Sequence, residues 1–177
     1  MRTKLVIPAA ALALATVVPT FSHAHVTLEV QQAPAGSTYK AVLRVPHGCE
    51  GAPTNVVRVK IPDGVTAVKP QPKPGWQLAT VKGKLGLPLK DDHGNAVTEG
   101  IVEVVWSGGN LLDEHYDEFV LRMGLPKTPD VTLYVPVVQE CPKGVERWIE
   151  IPAAGQKADD LKFPAPQLKL TAPAGGH

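Results

Sequence analysis

The chain has 177 residues, with 18 Lys and Arg against 17 Asp and Glu, for a formal net charge of +1. That balance supplies no basic excess to displace counterions from phosphate, which argues against nucleic acid as a partner. Two of the basic residues, Arg2 and Lys4, fall in an N-terminal leader, and the remaining roughly 150 residues are near neutral and the size of one domain.

Residues 1–24 open with Arg2 and Lys4, run through the apolar LVIPAAALALATVVP and end in SHA. Ser22 and Ala24 stand at the small-residue positions a signal peptidase requires. This is the layout of a cleavable secretory signal peptide, and the run is too short and too interrupted by proline for a membrane span. Cleavage after Ala24 makes His25 the first residue of the exported chain; cleavage after Ser22 would make it His23. No later apolar segment approaches the roughly 18 residues of a transmembrane helix, so the expectation is a periplasmic protein whose mature chain does not span a membrane.

Beyond the leader, short strand signals recur between proline and glycine. In order they are HVTLEVQ (25–31), TYKAVLRV (38–45, with Tyr39, Val42 and Val45 apolar), TNVVRVKI (54–61, with Val57, Val59 and Ile61 on one face) and WQLATVKG (76–83). GIVEVVWSG, DEFVLRMGL, VTLYVPVVQE and VERWIEI complete about eight strands of five to nine residues, a usual strand length. The pattern predicts an all-β fold, an antiparallel sandwich of immunoglobulin-like type, over residues 25–152. Residues 86–100 read as a surface loop or wide hairpin and 107–118 as a long irregular connection. Residues 153–177, rich in Pro and Ala, read as an extended tail lying along the sandwich.

Two cysteines, Cys49 and Cys141, are an even count in an exported chain and suggest a disulfide. The loop enclosed would contribute roughly 4–5 kcal/mol in the chain-entropy treatment. A thiolate metal pair and two separate thiols are the alternatives.

His25 is the candidate of most chemical interest. As a first residue it offers its α-amine and its ring Nδ1, which close a six-membered chelate on one metal. The amine has an ordinary pKa of about 8 and yields its proton readily to Cu(II), and amine with imidazole suits Cu(II) and Ni(II), copper standing highest in divalent affinity. The chelate exists only after cleavage, because an amide nitrogen is a far poorer ligand.

HVTLE at the mature start, KAVLRVPHGCEGAPTNVVRVKIPDGV, KPGW, VEVVWSGG, YDEFVLRMGLP and LYVPVVQECPKGVERWIEIP resemble, in that order, the YcnI-like family of bacterial exported copper-binding domains. The resemblance runs from His25 to about Pro152. It implies an immunoglobulin-like sandwich and a Cu(II) site called a monohistidine brace, in which the N-terminal histidine binds through amine and ring, a carboxylate joins it and a tryptophan lies close by. Carried over, His25 matches the brace histidine, Glu50 in HGCEG the carboxylate and Trp148 in ERWIE the tryptophan. A Cys49–Cys141 bond would then tie the Glu50 turn to the start of the strand bearing Trp148 and preorganise the site. The resemblance also implies a setting among copper-handling proteins as partners. Relatives with a C-terminal membrane anchor differ from this chain, which ends in LTAPAGGH.

His47, three residues before Glu50, is a candidate additional ligand that would convert the site to two histidines. Plainer readings stand beside these: Glu50 as a solvated turn residue, Trp148 as core, Trp76 and Trp106 as core or corner residues. Glu29 lies about 13 Å from His25 by strand rise, a poor partner for one ion. His93 and His115 fall in loops and His177 in the tail, while DEHYDEF (113–119) lacks the glycine-pivoted spacing of a calcium loop and reads as a solvated turn that sends Phe119 inward. No nucleophile elbow, phosphate loop or His–carboxylate pair at useful spacing suggests catalysis. The reading is a non-enzymatic copper chaperone or store; a brace-type copper oxidase and a metal-free structural interaction domain are the alternatives.

Overall fold

The computed structural model describes residues 25–90 and 94–173. The leader, His93 and His177 lie outside them. Among the described residues the strands are β1 (Thr27–Leu28), β2 (Gln32–Pro34), β3 (Thr38–Val45), β4 (Thr54–Lys60), β5 (Thr66–Pro70), β6 (Gln77–Lys90), β7 (Ala96–Leu111), β8 (Asp117–Gly124), β9 (Thr132–Tyr134), β10 (Val137–Cys141), β11 (Gly144–Trp148) and β12 (Gln167–Thr171). They form a four-stranded sheet in the order β1-β3-β8-β5, a five-stranded sheet β11-β10-β4-β7-β6 and a small sheet β2-β12-β9. All pairings are antiparallel except β2 with β12.

The alternation that predicts the strands also builds the core. Val57 and Val59 of β4, and Ile61 just after it, face inward. They meet Tyr39, Ala41, Leu43 and Val45 of β3 and Phe119, Leu121 and Met123 of β8. Inward positions on β3 therefore run through Ala41 and Leu43, and Val42, buried on the opposite face, lies outside that cluster. Trp106 of β7 joins the two large sheets: its ring meets Phe119 edge-on at 5.5 Å, and its indole N–H donates to the Gln71 carbonyl at 3.0 Å. Trp76 also meets Phe119 edge-on, at 4.9 Å, and lies against Gly109, where any Cβ would collide with the indole. Phe119 enters the core, and its neighbours in DEHYDEF make exposed or partly exposed ion pairs, Asp117 with Lys73 and Glu118 with Arg44.

Four features depart from the sequence reading. VTLYVPVVQE is two strands, because Pro136 offers no N–H to continue a ladder. β9 before it joins the small sheet, and β10 after it pairs with β4. β7 continues through Gly108 to Leu111, well into the stretch read as irregular, whereas the reading of 86–100 as a wide hairpin agrees with the pairing of Leu89 with Val97 and Lys90 with Ala96. β5 carries an edge bulge with Ala67 at φ 49°, which breaks the alternation that would have marked it. Finally, the segment after Pro152 is not merely appended: β12 pairs with β2 and β9, and its Leu168 and Leu170 are 0 % exposed. The sandwich therefore closes at Thr171.

Candidate metal centre

His25 precedes β1, which is registered antiparallel to β3 by Thr27 opposite Arg44 and Leu28 opposite Leu43. Carried on toward the chain start, that register sets His25 beside the segment that leaves β3 at Pro46 and His47. The third component arrives from the other large sheet. Trp148 is the last residue of β11, opposite Val137 of β10, and is 1 % exposed. Its ring centroid lies 5.7 Å from that of His25 and 6.4 Å from that of His47, and Phe163 closes against it edge-on at 5.2 Å. Two imidazoles from separate segments thus rest on one buried indole.

The polypeptide around His47 is held tightly. Cys49 pairs with Ala52 by two backbone hydrogen bonds of 2.9 Å, closing a two-residue turn at Glu50 and Gly51, both with positive φ (49° and 85°). This is the geometry of a type I′ turn, for which glycine at the second position is well suited. Cys49 is bonded to Cys141, at the end of β10. His47 Nδ1 faces the Gly48 carbonyl, which can only accept, so Nδ1 is the donor of that pair.

Gln139 connects these parts. It is 0 % exposed, accepts from Trp148 Nε1 at 3.1 Å and donates through Nε2 to the His47 carbonyl and to Thr54 Oγ1, each at 2.6 Å. No motif in the sequence marks it out, since it occupies one place in an alternating strand. Its signal is a polar residue at an inward position two residues from the inward Val137.

Glu50, the expected carboxylate, is exposed on the turn. Among the described residues no three His, Cys, Asp or Glu side chains gather as a metal-binding group. Glu29 is engaged by Arg44 at 2.8 Å on the surface. The carboxylate that shares a cavity with His25 is Asp159, on a single 3-10 turn (Ala158–Asp160); the cavity measures about 120 Å³ and is also lined by Gln31. Trp76 and Trp106 belong to the core, and His115 is exposed in a loop.

The donor set fits copper better than a hard ion. Two imidazoles are nitrogen ligands of the kind that suit Cu(II), an amine at His25 would add a third were residues 1–24 removed, and no carboxylate cage of the calcium type is present among the described residues.

Residues 25–170 match a family described as "Domain of unknown function (DUF1775)". A crystal structure of an uncharacterized protein from Nocardia farcinica, reported to reveal an immunoglobulin-like fold, is 28 % identical, with a TM-score of 0.61 over 83 % of this chain and 98 % of that one. The fold expected from strand spacing is thereby shown. No curated protein matches the chain.

Proposed function

This chain belongs to the DUF1775 family, and we propose that it is an exported protein that binds Cu(II) at its mature N-terminus and serves as a copper chaperone or store in the periplasm. His25 supplies amine and ring nitrogens, His47 supplies Nε2, and Trp148 walls the site. The observation that carries this reading is the pair of imidazoles resting on one buried indole. His47, rather than Glu50, takes the place of the brace carboxylate. An oxidising compartment is supported by the Cys49–Cys141 bond, and among the described residues no helix is long and apolar enough to cross a membrane.

Bound copper supplies an electron-accepting centre with a strong preference for nitrogen donors. The protein's part is to hold the donors. Burial of Trp148 between Phe163 and the two imidazoles fixes the wall against which both rings rest. The contact of His47 Nδ1 with the Gly48 carbonyl fixes the orientation of the ring.

The second imidazole also favours an oxygen-activating copper oxidase as the second reading. The cavity beside His25, about 120 Å³, is small against the roughly 300–1,000 Å³ of ligand pockets, and the indole narrows the approach, so holding is favoured over turnover. Titrating the exported protein with Cu(II) under electron paramagnetic resonance tests this. One tight Cu(II) per chain with nitrogen hyperfine structure is expected. Absence of a tight site would leave a metal-free interaction domain, and peroxide formation driven by ascorbate would favour the oxidase.

A further inference from the structure

Gln139 is a fully buried polar side chain on β10, with every polar atom of its amide engaged. We propose that Gln139 is a positioning residue of the copper site, locking the His47 segment and the Trp148 indole into one unit whose hydrogen-bond direction is anchored on the disulfide. This rests on the copper-binding reading.

The directions follow from what each group can do. An indole N–H only donates, so the Gln139 oxygen must face Trp148. Its NH₂ then spends one hydrogen on the His47 carbonyl and the other on Thr54 Oγ1. Having accepted, the Thr54 hydroxyl directs its own hydrogen elsewhere, and Cys141 Sγ stands 3.8 Å away. A disulfide sulfur has no hydrogen and can only accept. The chain therefore runs from Trp148 through Gln139 and Thr54 to the Cys141 sulfur, with a branch to His47. Turning the amide over would set two donors together at Trp148 and two acceptors together at His47. One orientation survives, and it fixes both sides of the metal site: the backbone carrying one imidazole and the wall behind both. Buried networks in which every member is satisfied specify a unique geometry in this way.

The test uses the mature, disulfide-bonded protein with Gln139→Met, which keeps length and removes the amide, and Thr54→Val, which removes only the hydroxyl. Gln139→Met should weaken Cu(II) binding by about 10- to 100-fold, the range for residues that orient metal ligands, and alter the Cu(II) spin spectrum. In a His47→Ala background the same change should cost much less, because it acts in part through His47. In metal-free protein it should also move the Trp148 indole ¹H–¹⁵N resonance. A folded Gln139→Met protein with unchanged affinity and spectrum overturns the proposal, as does an equal loss with and without His47, which is what general destabilisation gives. Should Gln139→Met not fold, Thr54→Val decides: a weaker site with a shifted indole resonance supports the proposal, and unchanged values overturn it. If the wild-type protein takes up no Cu(II), the copper reading fails; the indole resonance still reports on the lock, and its indifference to Gln139→Met rejects that separately.

Discussion

Cys49 and Cys141 are bonded across 92 residues of sequence, their Cα atoms 6.1 Å apart, and the bond joins the turn after His47 to the strand that leads through a hairpin to Trp148. A cross-link of that span restricts the unfolded chain strongly. Replacing both cysteines with serine should lower stability by roughly 4–5 kcal/mol in the chain-entropy treatment, read as a lower denaturant midpoint with little change in slope. Equal midpoints would mean that the bond contributes nothing to the fold.

His47 and Glu50 lie three residues apart; the His47 ring lies 6.4 Å from that of Trp148, and Glu50 is exposed on the turn. His47→Ala should weaken Cu(II) binding by an order of magnitude or more, about 1.4 kcal/mol upward. Glu50→Ala should change it little. The opposite ranking, measured by competition with a chelator of known affinity, would return the carboxylate to the role the family resemblance assigned it.

Leu168 and Leu170 are core residues on a strand that a composition-based reading places in a tail. Leu168→Ala should cost about 2–5 kcal/mol, as for other buried leucines, seen in thermal or denaturant unfolding. A chain ending at Pro152 should fold poorly. If the truncated protein unfolds as cooperatively and at the same midpoint as the whole, β12 is dispensable.

Much of the architecture is legible in the sequence because half-buried antiparallel strands alternate, as β3, β4 and β8 do. The exceptions have identifiable physical causes. β12 hides among prolines and is recognisable only through its pairing with β2, far away in the chain. β5 is broken by a bulge, and Pro136 divides a run whose apolar pattern is continuous. At the site, His25, His47 and Trp148 can be picked out as residue types capable of chemistry. That the His47 ring meets the indole depends on the path of the chain around a two-residue turn, and that information is tertiary. Gln139 is marked in the sequence only as a polar residue at an inward position, and its role stays hidden because its partners come from a loop, from β4 and from β11.

Tyr39 gives a pH test remote from the metal. Its hydroxyl donates to the Val30 carbonyl, and burial, reinforced by the nearby Glu29 charge, pushes its pKa up to about 12 from 10. The folded state thus favours the neutral phenol. The unfolded chain loses this proton from about pH 10 upward while the folded one keeps it, so stability from Tyr39 is complete below pH 10 and declines between pH 10 and 12. The full effect is about 2–3 kcal/mol. Tyr39→Phe should flatten that alkaline decline in denaturant unfolding; an unchanged slope would place its cause in other groups.

The central claim is that removal of residues 1–24 creates a metal donor at His25. The most direct measurement compares Cu(II) affinity and spin spectrum of the protein beginning at His25 with those of the same protein carrying one additional methionine before it. The amine of His25 is then an amide, while the rings of His25 and His47 and the wall of Trp148 are retained. We predict a loss of affinity of at least tenfold, about 1.4 kcal/mol, with a change in nitrogen hyperfine structure. Equal affinity and identical spectra for the two proteins would contradict the account.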